Sequence, residues 1–177
     1  MVAHIGRIGR AALTMVAFMF LTPIASADAE RVMTLVADAA LSTHLTAVDD
    51  ALARHDMLSA SRELQASYQA ALASRRWQAM IAYGDAALRV ADAAGTRQHG
   101  MEQARRAYLL ALYRARSERS VDGALAATQS FMLLGDRDAA QAGLSMARGL
   151  ARTAAERDRV GTLAARLEGR LATIPRF

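Results

Sequence analysis

An all-α fold follows from three features of the chain: its composition, the period of its apolar residues, and its scarcity of helix breakers. Alanine makes up nearly a quarter of the 177 residues, Leu and Arg are abundant, and β-branched residues are sparse, which is a helix-forming mixture. Pro23 and Pro175 are the only prolines. Apolar residues recur at three- and four-residue spacing. No segment alternates with period two, and no Asn-Gly or Asp-Gly turn separates β-branched runs, so strands are not expected. The pattern divides into about seven helices of roughly 15 residues, more than one four-helix core can hold, joined by connections short enough to make neighbours antiparallel. The expected architecture is a stack of antiparallel helical hairpins.

Residues 1–27 read as a cleavable export signal. Arg7 and Arg10 make the start basic, Ala11 to Leu21 form an apolar run, and Thr22-Pro23 breaks it. Ala25-Ser26-Ala27 then presents small residues, Ala25 and Ala27, at the two positions a signal peptidase inspects. The run is shorter than the roughly 20 residues a membrane span needs. An exported chain follows, periplasmic first and secreted second, with no integral membrane span after cleavage. Cleavage leaves 177 − 27 = 150 residues, the size of one ordinary domain. It divides into a long N-terminal helix within 28–56 and a helical-hairpin region over 57–177.

The first helix is expected from Ala29 to Arg54, with Val32, Leu35, Val36, Ala39, Leu45, Val48 and Leu52 on one broad face. Ser42-Thr43-His44 marks a kink or break near its middle. Asp56 can cap the second helix, striped by Leu58, Ser61, Leu64, Tyr68, Ala71 and Leu72. The third follows Ser74, carries Trp77, Met80, Ile81, Gly84, Leu88 and Ala91, and closes at Gly95. Thr96 opens the fourth, with Met101, Ala104, Tyr108, Ala111, Leu112 and Ala115 inward. After the polar break Ser117–Ser120, the fifth helix carries Val121, Ala124, Leu125, Phe131 and Met132 and ends at Gly135. Asp136 starts the sixth, with Ala140, Leu144, Ala147 and Leu150. Thr153 and Glu156 match a capping box for the seventh, whose stripe is Val160, Leu163, Leu167, Leu171 and Ile174. Pro175 stops it.

The segment from Leu134 to Ala147 carries Gly135-Asp136 at a turn, Ala140 and Ala147 as small residues along the following helix, and Phe131 as the aromatic of the preceding one. In these residues it resembles the tetratricopeptide repeat. Arg75-Arg76-Trp77-Gln78-Ala79-Met80-Ile81, followed by Ala87-Leu88, resembles a weaker second copy. It departs from the family at Arg75, where Gly is preferred, and at Met80, where Ala is preferred. The resemblance implies stacked helical hairpins that bind a protein through a concave face. The two copies are offset by 60 residues, not a multiple of about 34, which leaves the fourth helix without a clear partner. Pairing helices two with three, four with five and six with seven is the other register, and it puts Gly135-Asp136 between hairpins.

Charge and side-chain inventory exclude several chemistries. The formal +5 falls to 20 Arg against 17 acids, or +3, once Arg7 and Arg10 leave. The pI near 10.6 reflects Arg as the sole basic residue type and not a dense positive field, so nucleic acid is not an expected partner. No cysteine is present, so neither disulfides nor thiolate metal sites arise. His44, His55 and His99 lack zinc-like spacing. Asp49, Asp50, His55 and Asp56 read as a solvated helix end. Ser145 sits in a Gly143-Leu-Ser-Met-Ala run without the strand a nucleophile elbow needs. Asp85–Arg89 and Glu102–Arg106 read as i,i+4 surface pairs. Neither catalysis nor a cofactor is expected.

Aromatic residues and Arg are the usual anchors of binding surfaces. Trp77 falls on an apolar stripe and is assigned to the core. Tyr83 and Tyr113 fall off theirs and are expected to be exposed. With Arg76, Arg106 and Arg114 they form the candidate surface for an acidic or extended peptide. The expected function is an adaptor that binds another protein or peptide. The alternative is a helical bundle holding a small or lipidic ligand among Met33, Met57, Met80, Met101, Met132 and Met146.

Overall fold

The computed structural model describes residues 22–172, and the side chains of residues 28–169. Those residues form seven helices and no strand: α1 Thr22–Ala53, α2 Met57–Ser74, α3 Trp77–Ala93, α4 Arg97–Ser117, α5 Val121–Leu134, α6 Arg137–Leu150 and α7 Ala154–Ala172. Of the expected leader, residues 1–21 lie outside the described residues, and Ala25 and Ala27 fall in the first turns of α1. Ile174 and Pro175 also lie outside them.

α1 differs from expectation in two ways. It is one continuous helix through Ser42-Thr43-His44, because the hydroxyls of Thr43 and Thr46 donate back to the carbonyls of Ala39 and Ser42 instead of opening the backbone. Its buried residues are Ala37, Leu41, Val48 and Ala51, while Val32, Leu35 and Val36 face solvent. In α2, Leu58 is exposed and the buried set shifts to Ala60, Leu64, Ser67, Ala70 and Ala71.

The broadest contacts pair α1 with α2, α3 with α4, and α5 with α6; α1 also touches α3, α3 touches α5, and α5 touches α7. The turns inside the three pairs share one design, which the α4–α5 turn between pairs also has, with Arg119 at φ 53° and Ser120 N reaching Ala115 O at 2.8 Å. His55, Gly95 and Gly135 each adopt positive φ, at 57°, 70° and 81°. The next residue's N–H then reaches back five residues: Asp56 to Ala51 O at 2.9 Å, Thr96 to Ala91 O at 2.8 Å, Asp136 to Phe131 O at 3.0 Å. These bonds satisfy carbonyls the helix end would otherwise strand. Asp56 and Asp136 also cap the following helix by accepting from Ser59 N and Ala139 N, whereas the Thr96 side chain makes no such bond.

The three turns recur at 95 − 55 = 40 and 135 − 95 = 40 residues. Gly135-Asp136 therefore lies inside a pair, while Arg75-Arg76 lies between pairs. The 60-residue offset compared two different kinds of turn, one and a half periods apart. A buried small–large–small triad follows each turn inside a pair, Ala60-Leu64-Ser67, Ala104-Tyr108-Ala111 and Ala140-Leu144-Ala147, and the middle one starts one helical turn later after its turn residue than the other two do.

Small residues set how closely the helices cross. A methyl on Gly84 would lie 2.5 Å from Tyr108 Cε1, and one on Gly123 would lie 2.7 Å from Ala115 Cβ and 2.9 Å from Trp77. One on Gly143 would collide with Thr128 Oγ1. Gly161 faces open space, so its presence has no packing reason. Two apolar clusters meet at α4, whose Ala107 and Ala111 belong to the N-terminal one and Ala104, Tyr108 and Leu112 to the C-terminal one. α7 covers the second cluster with Val160, Leu163, Ala164 and Leu167, and its capping box is formed: Thr153 N donates to Glu156 Oε2 at 2.9 Å and Glu156 N to Thr153 Oγ1 at 3.2 Å.

Candidate functional site

α2 and α4 lie over α3 without approaching each other backbone to backbone, and the gap between them holds a cup of about 320 Å³. Tyr68 of α2, Met80 and Tyr83 of α3, and Gln103, Arg106 and Leu110 of α4 line it. The two tyrosine rings stand 4.9 Å apart, centroid to centroid, tilted by 45°. Arg114 ties the helices together beside the cup. Its Nη1 donates to Ala71 O at 2.9 Å and Arg76 O at 3.0 Å, and its Nη2 to Leu72 O at 3.2 Å. A cation on the last carbonyls of α2 meets both their unfilled hydrogen bonds and the negative end of the helix dipole. Burial lowers the Arg114 pKa from its ordinary value, and the three carbonyls hold the guanidinium.

The five residues expected to form one surface are thus divided. Tyr83 and Arg106 meet in the cup. Tyr83 is buried, contrary to the expectation of exposure, because it lies off its helix's main stripe but toward α2, whose Tyr68 covers it. Tyr113 is 69% exposed, as expected, but lines no part of the cup. Arg114 is a clamp between helices. Arg76 pairs with Asp38 at 3.1 Å, joining the start of α3 to α1. The expected surface pair Asp85–Arg89 is not made: Asp85 accepts from Tyr108 Oη at 2.6 Å, and Arg89 bonds Asp49.

Arg106 makes no hydrogen bond or ion pair among the described residues, and it lies close enough to Tyr83 to act on its charge. Burial, reinforced by Tyr68, raises the Tyr83 pKa above its ordinary value, with Arg106 opposing. The hydroxyl therefore stays a neutral donor. Gln103 adds an amide, which sits 3.0 Å from His99 Nε2. A guanidinium, an amide and tyrosine hydroxyls over apolar walls suit an anionic group carried on an extended, partly apolar chain. Sequence reasoning missed Tyr68 and Gln103. Tyr68 lies within the apolar stripe of α2, and its hydroxyl is the one hint that this part of the stripe meets water.

Three grouped acidic or histidine side chains able to hold a metal ion do not occur among the described residues. No described helix is long and apolar enough to cross a membrane. Compared with known protein families, curated proteins and solved structures, the chain shows no match.

Burial also raises the Tyr108 pKa, with the Asp85 hydrogen bond adding to it. A pKa raised by folding means that the native state holds its proton more tightly than the unfolded chain. The stability contributed by Tyr83 and Tyr108 is whole below pH ~10 and is lost as pH rises through their native values. The urea midpoint is expected to start falling only as pH rises above ~10, the ordinary tyrosine value, and Tyr108→Phe is expected to flatten that fall. An unchanged slope in the variant would remove Tyr108 from this account.

Proposed function

We propose that this chain is an exported helical-repeat adaptor that binds an acidic, extended segment of a partner protein in the α2–α3–α4 cup, without catalysis. The observation that carries the reading is Arg106, an unengaged cation at the lip of a preformed pocket beside Tyr68 and Tyr83. Three further features support it: the small-residue cleavage site at Ala25 and Ala27, the 40-residue recurrence of turns, and the tetratricopeptide-like residues around Gly135-Asp136. In this reading the α1–α2, α3–α4 and α5–α6 pairs are stacked hairpins, and α7 closes the stack in the manner of a capping helix. Export places the adaptor in the periplasm. The methionines that would line a small-ligand cavity are dispersed: Met57 and Met80 belong with the N-terminal cluster, Met132 and Met146 pack on the C-terminal one, and Met33 faces solvent.

Calorimetric titration with matched Asp/Glu-rich and Lys-rich peptides, each carrying interspersed apolar residues, tests the proposal. The acidic peptide alone is expected to bind. Arg106→Glu is expected to weaken it by at least about tenfold, the loss of a charge-assisted hydrogen bond plus an added repulsion. Equal binding of both peptides, or an unaffected Arg106→Glu variant, would refute it.

A further inference from the structure

The α2–α3–α4 cup holds more than an unengaged cation. Its wall carries two phenol rings, Tyr68 and Tyr83, with centroids 4.9 Å apart and planes tilted by 45°. Met80 and Leu110 extend the apolar lining, and Gln103 and Arg106 supply the polar part. Tilted rings and a polarizable thioether favour a third ring over an aliphatic chain, because ring edges meet ring faces and sulfur meets ring edges. Volume points the same way. A cavity of ~150 Å³ holds a benzene molecule, so a cup of about 320 Å³ has room for one ring and one carboxylate-bearing side-chain end. An isobutyl group in the same place would leave part of the lining without contacts, and unfilled apolar space forfeits dispersion. The cup is also too short to take a segment lengthwise. Arg114, one helical turn past Leu110, donates to the carbonyls of Ala71 and Leu72, which lie one turn past Tyr68. The guanidinium therefore bars the gap between α2 and α4 just beyond the cup. What enters is a side chain from a segment lying across the mouth.

We infer that the acidic segment of the peptide-binding reading, on which this inference rests, is anchored in the cup by an aromatic side chain two residues away from the carboxylate that meets Arg106. The spacing follows from extended backbone. Neighbouring side chains point to opposite faces, and those two apart share a face at a separation of ~6.7 Å. A cup of about 320 Å³ is ~7 Å across when taken as equidimensional, which is the same reach. Ring and carboxylate thus enter together only with one residue between them. Adjacent placement would turn one of the two away to solvent. Arg106 is the one cation among the described residues that line the cup, so a single acid suffices, and the ring, not a longer acidic run, sets the affinity.

The test is calorimetric titration of the protein purified from its own host with end-blocked peptides that keep one Glu and change one other position. Phe two residues from the Glu is expected to bind about three- to tenfold more tightly than Leu there, the usual margin of an aromatic contact over plain burial. Against Ala the margin is expected to be at least about tenfold, as for other buried anchors. Moving the Phe next to the Glu is expected to cost most of that gain. Tyr68→Leu, checked for folding by circular dichroism, keeps an apolar wall and removes a ring. Its Phe-over-Leu ratio is expected to fall towards one while the dependence on Arg106 remains. Equal affinity of the Phe, Leu and Ala peptides, equal binding of Phe at the two placements, or an unchanged ratio in folded Tyr68→Leu would overturn the inference. Should that variant fail to fold, the peptide series on the unaltered protein decides. If peptides of equal affinity still lost binding in Arg106→Glu, the peptide-binding reading would stand without its aromatic anchor. Binding of none of them would remove both.

Discussion

Tyr108→Ala is expected to destabilise the protein by about 3–5 kcal/mol, the range for removing a large buried ring. Tyr108 is 1% exposed and reaches both halves of the fold. Its ring meets Phe131 of α5 edge-on at a centroid distance of 5.8 Å, lies over Gly84 of α3, and its hydroxyl donates to Asp85 at 2.6 Å. Truncation leaves a hole where α3, α4 and α5 converge, and the surrounding helices can close it only in part. Tyr108→Phe keeps the ring and loses one hydrogen bond, so about 1 kcal/mol is expected. Urea unfolding followed by circular dichroism at neutral pH separates the two. Equal effects of both variants would mean that the ring contributes little.

Gly84→Ala is expected to destabilise by about 1–3 kcal/mol, the usual cost of overpacking, although alanine is the better helix former. The added methyl would stand 2.5 Å from Tyr108 Cε1, 3.0 Å from Cδ1 and 3.1 Å from Cζ. A ring held by Phe131 and Asp85 has little room to retreat, so α3 and α4 must separate. Gly161→Ala provides the opposite sign. Nothing lies within 4 Å of a methyl there, and the variant is expected to gain about 0.8–1 kcal/mol from helix propensity alone. Paired thermal denaturation of the two variants checks the contrast, and a stabilised Gly84→Ala would contradict the close α3–α4 crossing.

Much of the fold was legible because local chemistry and tertiary structure agree along most of the chain. The caps at Asp56, Asp136 and Thr153–Glu156, the stops at Gly95 and Gly135, and the stripes of α4 and α7 each rest on one turn of backbone or one helical period, and neighbouring residues specify them. What could not be read depends on contacts between helices. The inward face of the first half of α1 was misjudged because two apolar stripes compete on it, and only packing against its neighbours selects Ala37 and Leu41 over Val32, Leu35 and Val36, whereas Val48 is buried as expected. The 40-residue period was hidden because a left-handed turn residue need not be glycine. His55 occupies in the first turn the place Gly95 and Gly135 hold in the others, so no Gly-Asp dipeptide marks that turn. The site was half legible. Tyr83 and Arg106 meet there as named, but Arg114, named with them as a surface residue, instead holds the end of a helix 43 and 42 residues earlier in the chain, and no local pattern reveals which arginine a helix terminus will claim.

The adaptor reading is tested most directly by placing a photoreactive amino acid at Gln103 in the living host and at Arg166 as a control away from the cup. Irradiation at Gln103 is expected to yield a covalent adduct with an acidic stretch of one polypeptide, abolished by Arg106→Glu, while Arg166 yields none with that stretch. Adducts at Gln103 that persist in Arg106→Glu, or their absence from an abundant, folded protein, would contradict it.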